Sequence, residues 1–280
     1  MNLLERVRAA RSFDPMRFRP FYCNAIRIGW VRNDFVQLLA PWPRLFIVEG
    51  ERVTLAPDLA PPQRTQAIDA AMRALAAEGV IAGWRNETYA IAPVFGAPAL
   101  FHIERAAVRL LGLTSYSVHV NGITGSATDL RMWLARRSMA KPIDPGMIDN
   151  LIGGGLASGL SVEQTLLKEG WEEAGIDRDL LRHATPGGKV RLQREVPEGL
   201  QAEIIFTHDL HVPASFQPVN QDGEVAEFCL LPIADTIALL RESSEITLEA
   251  ALVMMQFLLR RGYLSRDEPG FDEIESLGKE

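Results

Sequence analysis

Three glutamates, Glu169, Glu172 and Glu173, follow shortly after a run of glycines, Gly153, Gly154 and Gly155. At about 100° of turn per residue, a helix sets Glu172 and Glu173 on either side of Glu169, as its i+3 and i+4 neighbours. Three carboxylates gathered on one face repel each other, and only Lys168 lies close enough to dilute them. One reading is a solvated acidic face. The other is a site for a hard divalent cation. Mg²⁺ and Mn²⁺ take oxygen ligands, and Mg²⁺ usually combines one or two carboxylates with waters and substrate phosphate oxygens. The glycine run favours the second reading, because a chain without Cβ atoms lets backbone amides approach an anion closely.

These side chains need a helix with defined ends. Ser161 suits the N-cap, where its hydroxyl can accept from an unpaired amide of the first turn. Gly175 suits the left-handed residue that closes a helix. The glycine run reads as a turn leading in. Gly170 lies inside the helix, where glycine costs on the order of 1 kcal/mol against alanine and leaves room for close packing.

With Gly175 as the closing glycine, the stretch from Gly154 to Ile176 resembles the Nudix box, G-x5-E-x7-R-E-U-x-E-E-x-G-U, where U is aliphatic. Glu169, Glu172, Glu173, Gly175 and Ile176 match it. Leu160 stands in place of the first glutamate, Lys168 in place of the arginine and Gly170 in place of an aliphatic residue. Lysine keeps the charge of arginine but loses its bidentate fork. Neither of the first two departures removes a metal ligand of the family.

The chain has 280 residues, 47% hydrophobic and 23% charged, with net charge −7. It is long enough for one large domain or two ordinary ones. The acidic balance argues against broad binding to nucleic acid or anionic lipid, which calls for a basic face. Cys23 and Cys229 fit no zinc or redox spacing, which suggests a reducing, cytoplasmic setting. Residues 1–13 read as a short helix rather than a signal peptide. No window is apolar for the roughly 18 residues of a membrane span.

Residues 1–112 read as a smaller α+β domain. Strands are expected over 21–28 and 30–39, a hairpin over 45–55, a helix over 63–78, a strand over 88–92 and a second helix over 105–111. Trp84, Arg85, Asn86 and Glu87 are better read as a turn with local pairing than as a binding site. Residues 113–264 read as the second domain. It has strands over 117–122 and 130–135, a hairpin over 189–210 around Gly199, a strand over 224–231, a helix over 233–241 and a strongly apolar helix over 246–259. Residues 265–280 read as a polar, loose tail.

Segments beyond the box extend the resemblance over about residues 15–260. His119-Val120-Asn121-Gly122, Trp133, the run Ala135 to Ser138, Lys141, Asp149-Asn150, Gly83 to Glu87 and Asn220 to Val225 with Phe228 are similar to the thiamin pyrophosphokinase-related branch of the Nudix superfamily. That branch carries its own N-terminal domain of unknown function. The resemblance implies an α/β/α sandwich with a mixed sheet and a hydrolase for a diphosphate linked to another group. In this branch, plant and yeast relatives release phosphate from thiamin diphosphate and prefer its oxo and oxy forms. It further implies Mg²⁺ or Mn²⁺ held by Glu169, Glu172 and Glu173, with Glu224 as a further carboxylate and Glu227 as second choice for that role. Glu169 and Glu173 are the catalytic candidates. Gly153, Gly154 and Gly155 would place phosphate, together with Arg136 or Arg137. Alternation sets those two arginines on opposite faces, so at most one meets substrate. Lys168 is expected to pair with a glutamate, and His119 to be structural. The expected partner is a small-molecule diphosphate, with no nucleic acid and no membrane; a homodimer is open. Two alternatives remain: a Nudix hydrolase of ADP-ribose or another nucleoside diphosphate, and a Nudix module that binds ligand without hydrolysis.

Overall fold

Helix α1 (Leu3–Ala10) starts the chain, with Asn2 accepting from the Glu5 amide and Glu5 capping in return. Strands β1 (Phe18–Cys23) and β2 (Ile26–Arg32) pair antiparallel. The hairpin of β3 (Phe46–Glu49) and β4 (Arg52–Leu55) joins them through a parallel β1–β4 contact. Helix α2 (Pro61–Ala77) opens with proline at its first position and buries Ile68, Ala71, Met72 and Leu75. Strands β5 (Thr88–Ile91) and β6 (Phe101–Glu104) form a separate pair. All of these except α1 share one apolar core. The computed structural model from which they are described covers residues 1–278.

Three expectations fail here. The strand expected over 21–28 is broken by a turn at Asn24 and Ala25, which separates β1 from β2. The strand expected to reach residue 39 stops at Arg32, and Val36–Leu39 forms a 3-10 turn. Val36 and Leu39 are three apart, so a 3-10 turn eclipses them and buries both, where a strand would split them between faces. The helix expected over 105–111 is a single 3-10 turn, Arg105–Ala107. The Leu111 carbonyl accepts from the Trp30 amide, and Gly112 has positive φ. Both draw the chain out of helical geometry.

The second half is built on β7 (Thr114–Thr124), β8 (Arg131–Arg137), β9 (Ile148–Asn150), β10 (Ile152–Gly155), β11 (Thr185–Val196), β12 (Gly199–His211) and β13 (Val225–Pro232). They make one mixed sheet, β11-β12-β7-β8-β13, with β9 and β10 attached. The β7–β12 pair is parallel and the others are antiparallel. Helix α3 (Val162–Ala174) and the short α4 (Arg178–Leu181) cover one face. Helices α5 (Ile233–Glu242) and α6 (Leu248–Arg260) belong to the other core. The fold is therefore the expected α/β/α sandwich with a mixed sheet. Helix α6 is buried nearly all round, the place for a helix with no polar face.

β7 changes partner along its length. β10 lies against Ser117–Val120, and β8 takes over at Gly122. A buried polar chain crosses the sheet there. Asn150 donates to Asn121, Asn121 donates to Asp209, and Arg260 grips Asp209. The His119 ring lies 2.8 Å from Asn150 Oδ1. His119 and Asn121 are thus bound into the framework.

The polar tail expected from residue 265 is ordered through Gly278. Helix α7 (Phe271–Glu275) and a 3-10 turn after it bury Ile274 and Leu277 in the same core as Leu3, Val7 and Ala10 of α1. Phe271, Ile274 and Leu277 stand three apart among many charged residues, too short a run to mark a helix, yet Ile274 and Leu277 suffice to anchor the segment. Residues 279–280 of the expected tail lie outside the described residues.

Candidate active site

Helix α3 has the expected ends. The Ser161 hydroxyl accepts from the Gln164 amide, Gln164 caps in return, and Gly175 closes the helix at φ 63°. Gly170 faces Leu181 of α4: a Cβ there would fall 2.5 Å from Leu181 Cδ1. The glycine inside the helix is what lets α4 fold back against it.

The glycine run is not the expected turn. Gly153, Gly154 and Gly155 lie in β10, paired with His119, Val118 and Ser117 of β7. Their lack of side chains still has a purpose. A Cβ on Gly154 would collide with the Glu169 carboxyl, and one on Gly155 with the Tyr89 hydroxyl. The strand is thin enough for α3 to approach from one side and the N-terminal half from the other.

The three glutamates divide. Glu169 and Glu172 accept hydrogen bonds from Lys168 Nζ at 3.0 and 2.7 Å. Burial opposes the ammonium charge, but the bonds to Glu172 and Glu169 outweigh it and raise the Lys168 pKa. Glu173 turns inward. Its Oε2 accepts from the Gly153 amide at 2.7 Å, and its Oε1 lies 3.7 Å from Lys141 Nζ. Glu224, arriving from the loop before β13, closes the same cluster through Lys141 and is met at 3.3 Å by Arg85 from the N-terminal half. Burial pushes the Glu173 carboxyl up to about 8, Lys141 pulls against that, and the charge on Glu169 adds to it. Burial also raises Glu169 and lowers Lys141. Burial has raised both Glu173 and Glu169, and a cation beside them would favour their charged forms.

The other sequence candidates separate cleanly. Arg137 donates to Asp149 at 2.8 Å and lines the cavity beside the glycine strand. Arg136 points to the opposite face, donating to Glu227 and to the Gly146 carbonyl. Glu227 therefore lies away from the cluster that Glu224 joins. In the segment Trp84 to Glu87, Trp84 donates to Asn86 and Glu87 pairs with Arg105, as expected of a turn. Arg85 departs from that reading, since it reaches the cluster.

Sequence reasoning gave Lys141 no role at the site and missed Tyr89 and Arg105. Lys141 is a single lysine in an irregular loop, with no periodicity to mark its direction. Tyr89 and Arg105 come from the N-terminal half, and nothing local tells that they face β10. The two halves interlock there. The Ser158 amide donates to the Thr88 carbonyl, and the Ser158 hydroxyl lies 2.6 Å from His102 Nδ1. A cavity of about 280 Å³ remains between the halves, with Arg85, Tyr89 and Arg105 on one wall and Gly153 to Gly155 on the other.

No group of three or more His, Cys, Asp or Glu side chains among the described residues is gathered tightly enough to hold an ion as it lies. The donors nonetheless suit one. Glu169, Glu172, Glu173 and Glu224 offer only oxygen, and the positive charge among them comes from Lys168, Lys141 and Arg85.

Comparison with known proteins agrees with this architecture. Residues 1–115 match the family described as Domain of unknown function (DUF4743), and residues 116–250 match the NUDIX domain. Nudix hydrolase 24, chloroplastic, of Arabidopsis thaliana is 37% identical over 278 residues, 98% of this chain and 76% of that one. Nudix hydrolase 20, chloroplastic, of the same plant is 34% identical over 268 residues, 92% of this chain and 71% of that one. A MutT protein from Methanosarcina mazei Go1 superimposes with TM-score 0.42 and 18% identity, over 52% of this chain and 94% of that one. The chain belongs to the Nudix hydrolases. It is an enzyme of that family, whose members generally use divalent metal ions.

Proposed function

We propose that this hydrolase cleaves the diphosphate of thiamin diphosphate, or of its oxo and oxy analogues, to the monophosphate and phosphate, with Mg²⁺ or Mn²⁺. The observation that carries the hydrolytic site is Glu173 and Glu224 gathered with Arg137 and Lys141 in one small pocket, with Glu169 and Glu172 joined through Lys168 on the same helix as Glu173. The thiamin choice is supported by the segments similar to that branch, Lys141 and Asp149-Asn150 among them. Glu173 and Glu172 would hold the ion, with Glu224 as a further oxygen ligand in place of its bond to Lys141. A bound divalent ion would neutralise diphosphate oxygens and acidify water. Glu169, whose carboxyl burial has raised, takes the proton of the attacking water. Lys141 and Arg137 meet the phosphate oxygens, and Gly153 keeps Glu173 aimed through its amide. The localisation that goes with this reading is cytoplasmic.

Phosphate release from thiamin diphosphate, oxythiamin diphosphate and ADP-ribose, with Mg²⁺ or Mn²⁺ and then with EDTA, tests it. Metal-dependent turnover of the thiamin compounds, lost in Glu173→Gln, is the expected result. Turnover of ADP-ribose alone would refute the substrate. No turnover with any of them, while a ligand still raises the melting temperature, would make this a binding module.

A further inference from the structure

In the segment Trp84 to Glu87 the other side chains pair locally, but that of Arg85 leaves the turn. Its backbone is fixed. The Arg85 amide donates to Glu104 Oε1 at 3.1 Å, and Glu104 is buried. On either side, Gly83 and Asn86 hold left-handed φ of 72° and 58°, and this conformation is uncommon for a residue other than glycine. Asn86 keeps it while accepting from Trp84 Nε1. The turn thus sends an arginine out of the N-terminal half from a firm base.

Arg85 Nη1 lies 3.3 Å from Glu224 Oε1, while Lys141 holds Glu224 Oε2. Two cations, one from each half of the chain, bracket one carboxylate. Arg85 lines the large cavity, and Glu224 lines the small pocket that holds Glu173. Arg137, Lys141 and Asp149 border both spaces, so Arg85 stands at the seam between cavity and carboxylate cluster. Among the described residues, the bond to Glu224 is the one its guanidinium makes, and a guanidinium has five N–H donors. Its side chain is 31% exposed. Arg137, by contrast, already commits donors to Asp149 and to the Ile143 and Asp144 carbonyls.

We propose that Arg85 is a phosphate ligand of the substrate, supplied by the N-terminal half and held on Glu224 until that carboxylate turns to a metal ion. The proposal rests on the hydrolytic site assigned above, in which Glu224 joins the ion and Lys141 meets phosphate oxygens. Lys141 and Arg85 flank the same carboxylate, so a phosphate that reaches one is within reach of the other. The planar fork of a guanidinium matches phosphate oxygens in pairs. An ion pair that ties the two halves together without metal is exchanged for a bond to substrate, and Arg85 couples metal binding to anion binding.

Two affinities of the full-length protein test this apart from turnover. One is for Mn²⁺ alone, read from the electron paramagnetic resonance of the free ion. The other is that of the Mn²⁺-loaded protein for methylenediphosphonate, a diphosphate mimic with no anhydride bond, read by calorimetry. Arg85→Ala removes one competitor for Glu224, so it should bind Mn²⁺ about threefold more tightly, as befits a half-exposed ion pair. The same variant should bind the diphosphonate about tenfold more weakly, having lost a charged hydrogen-bond donor. Arg85→Lys keeps the charge and should restore part of that affinity. Combined with Glu224→Gln, where Arg85 has no carboxylate to leave, Arg85→Ala should no longer tighten Mn²⁺. An arginine that only braced the two halves would lose both affinities or neither, and either result overturns the proposal. So does a gain for Mn²⁺ that persists in full beside Glu224→Gln. A wild type that binds no Mn²⁺ refutes the hydrolytic site itself. A wild type that binds it, with diphosphonate affinity unchanged in Arg85→Ala, leaves that site standing and refutes Arg85 alone.

Discussion

At Glu173, structure and chemistry pull in opposite directions. A carboxyl held up to about 8 is one the fold prefers protonated. Protonation therefore adds stability that is complete below the ordinary glutamate range near 4.5 and lost as pH rises through about 8. The metal-free protein should lose melting temperature across that window. Glu173→Gln should flatten the loss and melt a few degrees higher at pH 8.5, while hydrolysis falls at least 100-fold; thermal scans against pH, paired with phosphate release, check both. Lys141 is the counterpart. Its ammonium offsets Glu173 and Glu224, so Lys141→Ala should lower kcat/KM at least tenfold and move the acid limb of the pH–rate profile to higher pH.

Helix α3 serves the site only because α4 packs against it. At Gly170 two effects compete. Alanine should favour the helix by about 1 kcal/mol, but its Cβ would press on Leu181, which is 1% exposed and has little room to retreat. Overpacking in such places costs typically 1–3 kcal/mol. Gly170→Ala should therefore lower the melting temperature by a few degrees, and an increase in a calorimetric scan would show that Leu181 yields. β10 depends on bare backbone in the same way. Its glycines let carboxylates and the N-terminal half approach one strand from two sides.

Across the whole molecule, the N-terminal half cannot be treated as an appendage. Leu3 and Val7 lie in the core built on α6, and Arg6 donates to the Leu240 carbonyl at the end of α5. Each such apolar side chain contributes about 1.5–3 kcal/mol on burial, against a total stability of roughly 5–15 kcal/mol. A fragment beginning at residue 113 loses both, and also the cavity wall. It should show no cooperative unfolding transition by circular dichroism at a temperature where the full chain is folded. If it melts as the full chain does, α1 contributes nothing of note.

The sequence by itself determined the family and its reaction class. A capped helix with glutamates at i, i+3 and i+4 is local information, and helical geometry alone puts those side chains on one face. The alternating strands, the apolar α6 and the opposite facing of Arg136 and Arg137 were legible for the same reason: each depends on a period of two or 3.6 residues. Tertiary structure decided the rest. The glycine run reads as a turn because glycine is common there, and only packing from both sides shows why it is a strand. Lys141, Tyr89 and Arg105 carry no periodic signal. They come from a loop, a short strand and a single turn, far apart along the chain. Which carboxylates share a cluster is set by distances across the interface between the two halves, and a linear pattern does not encode those distances.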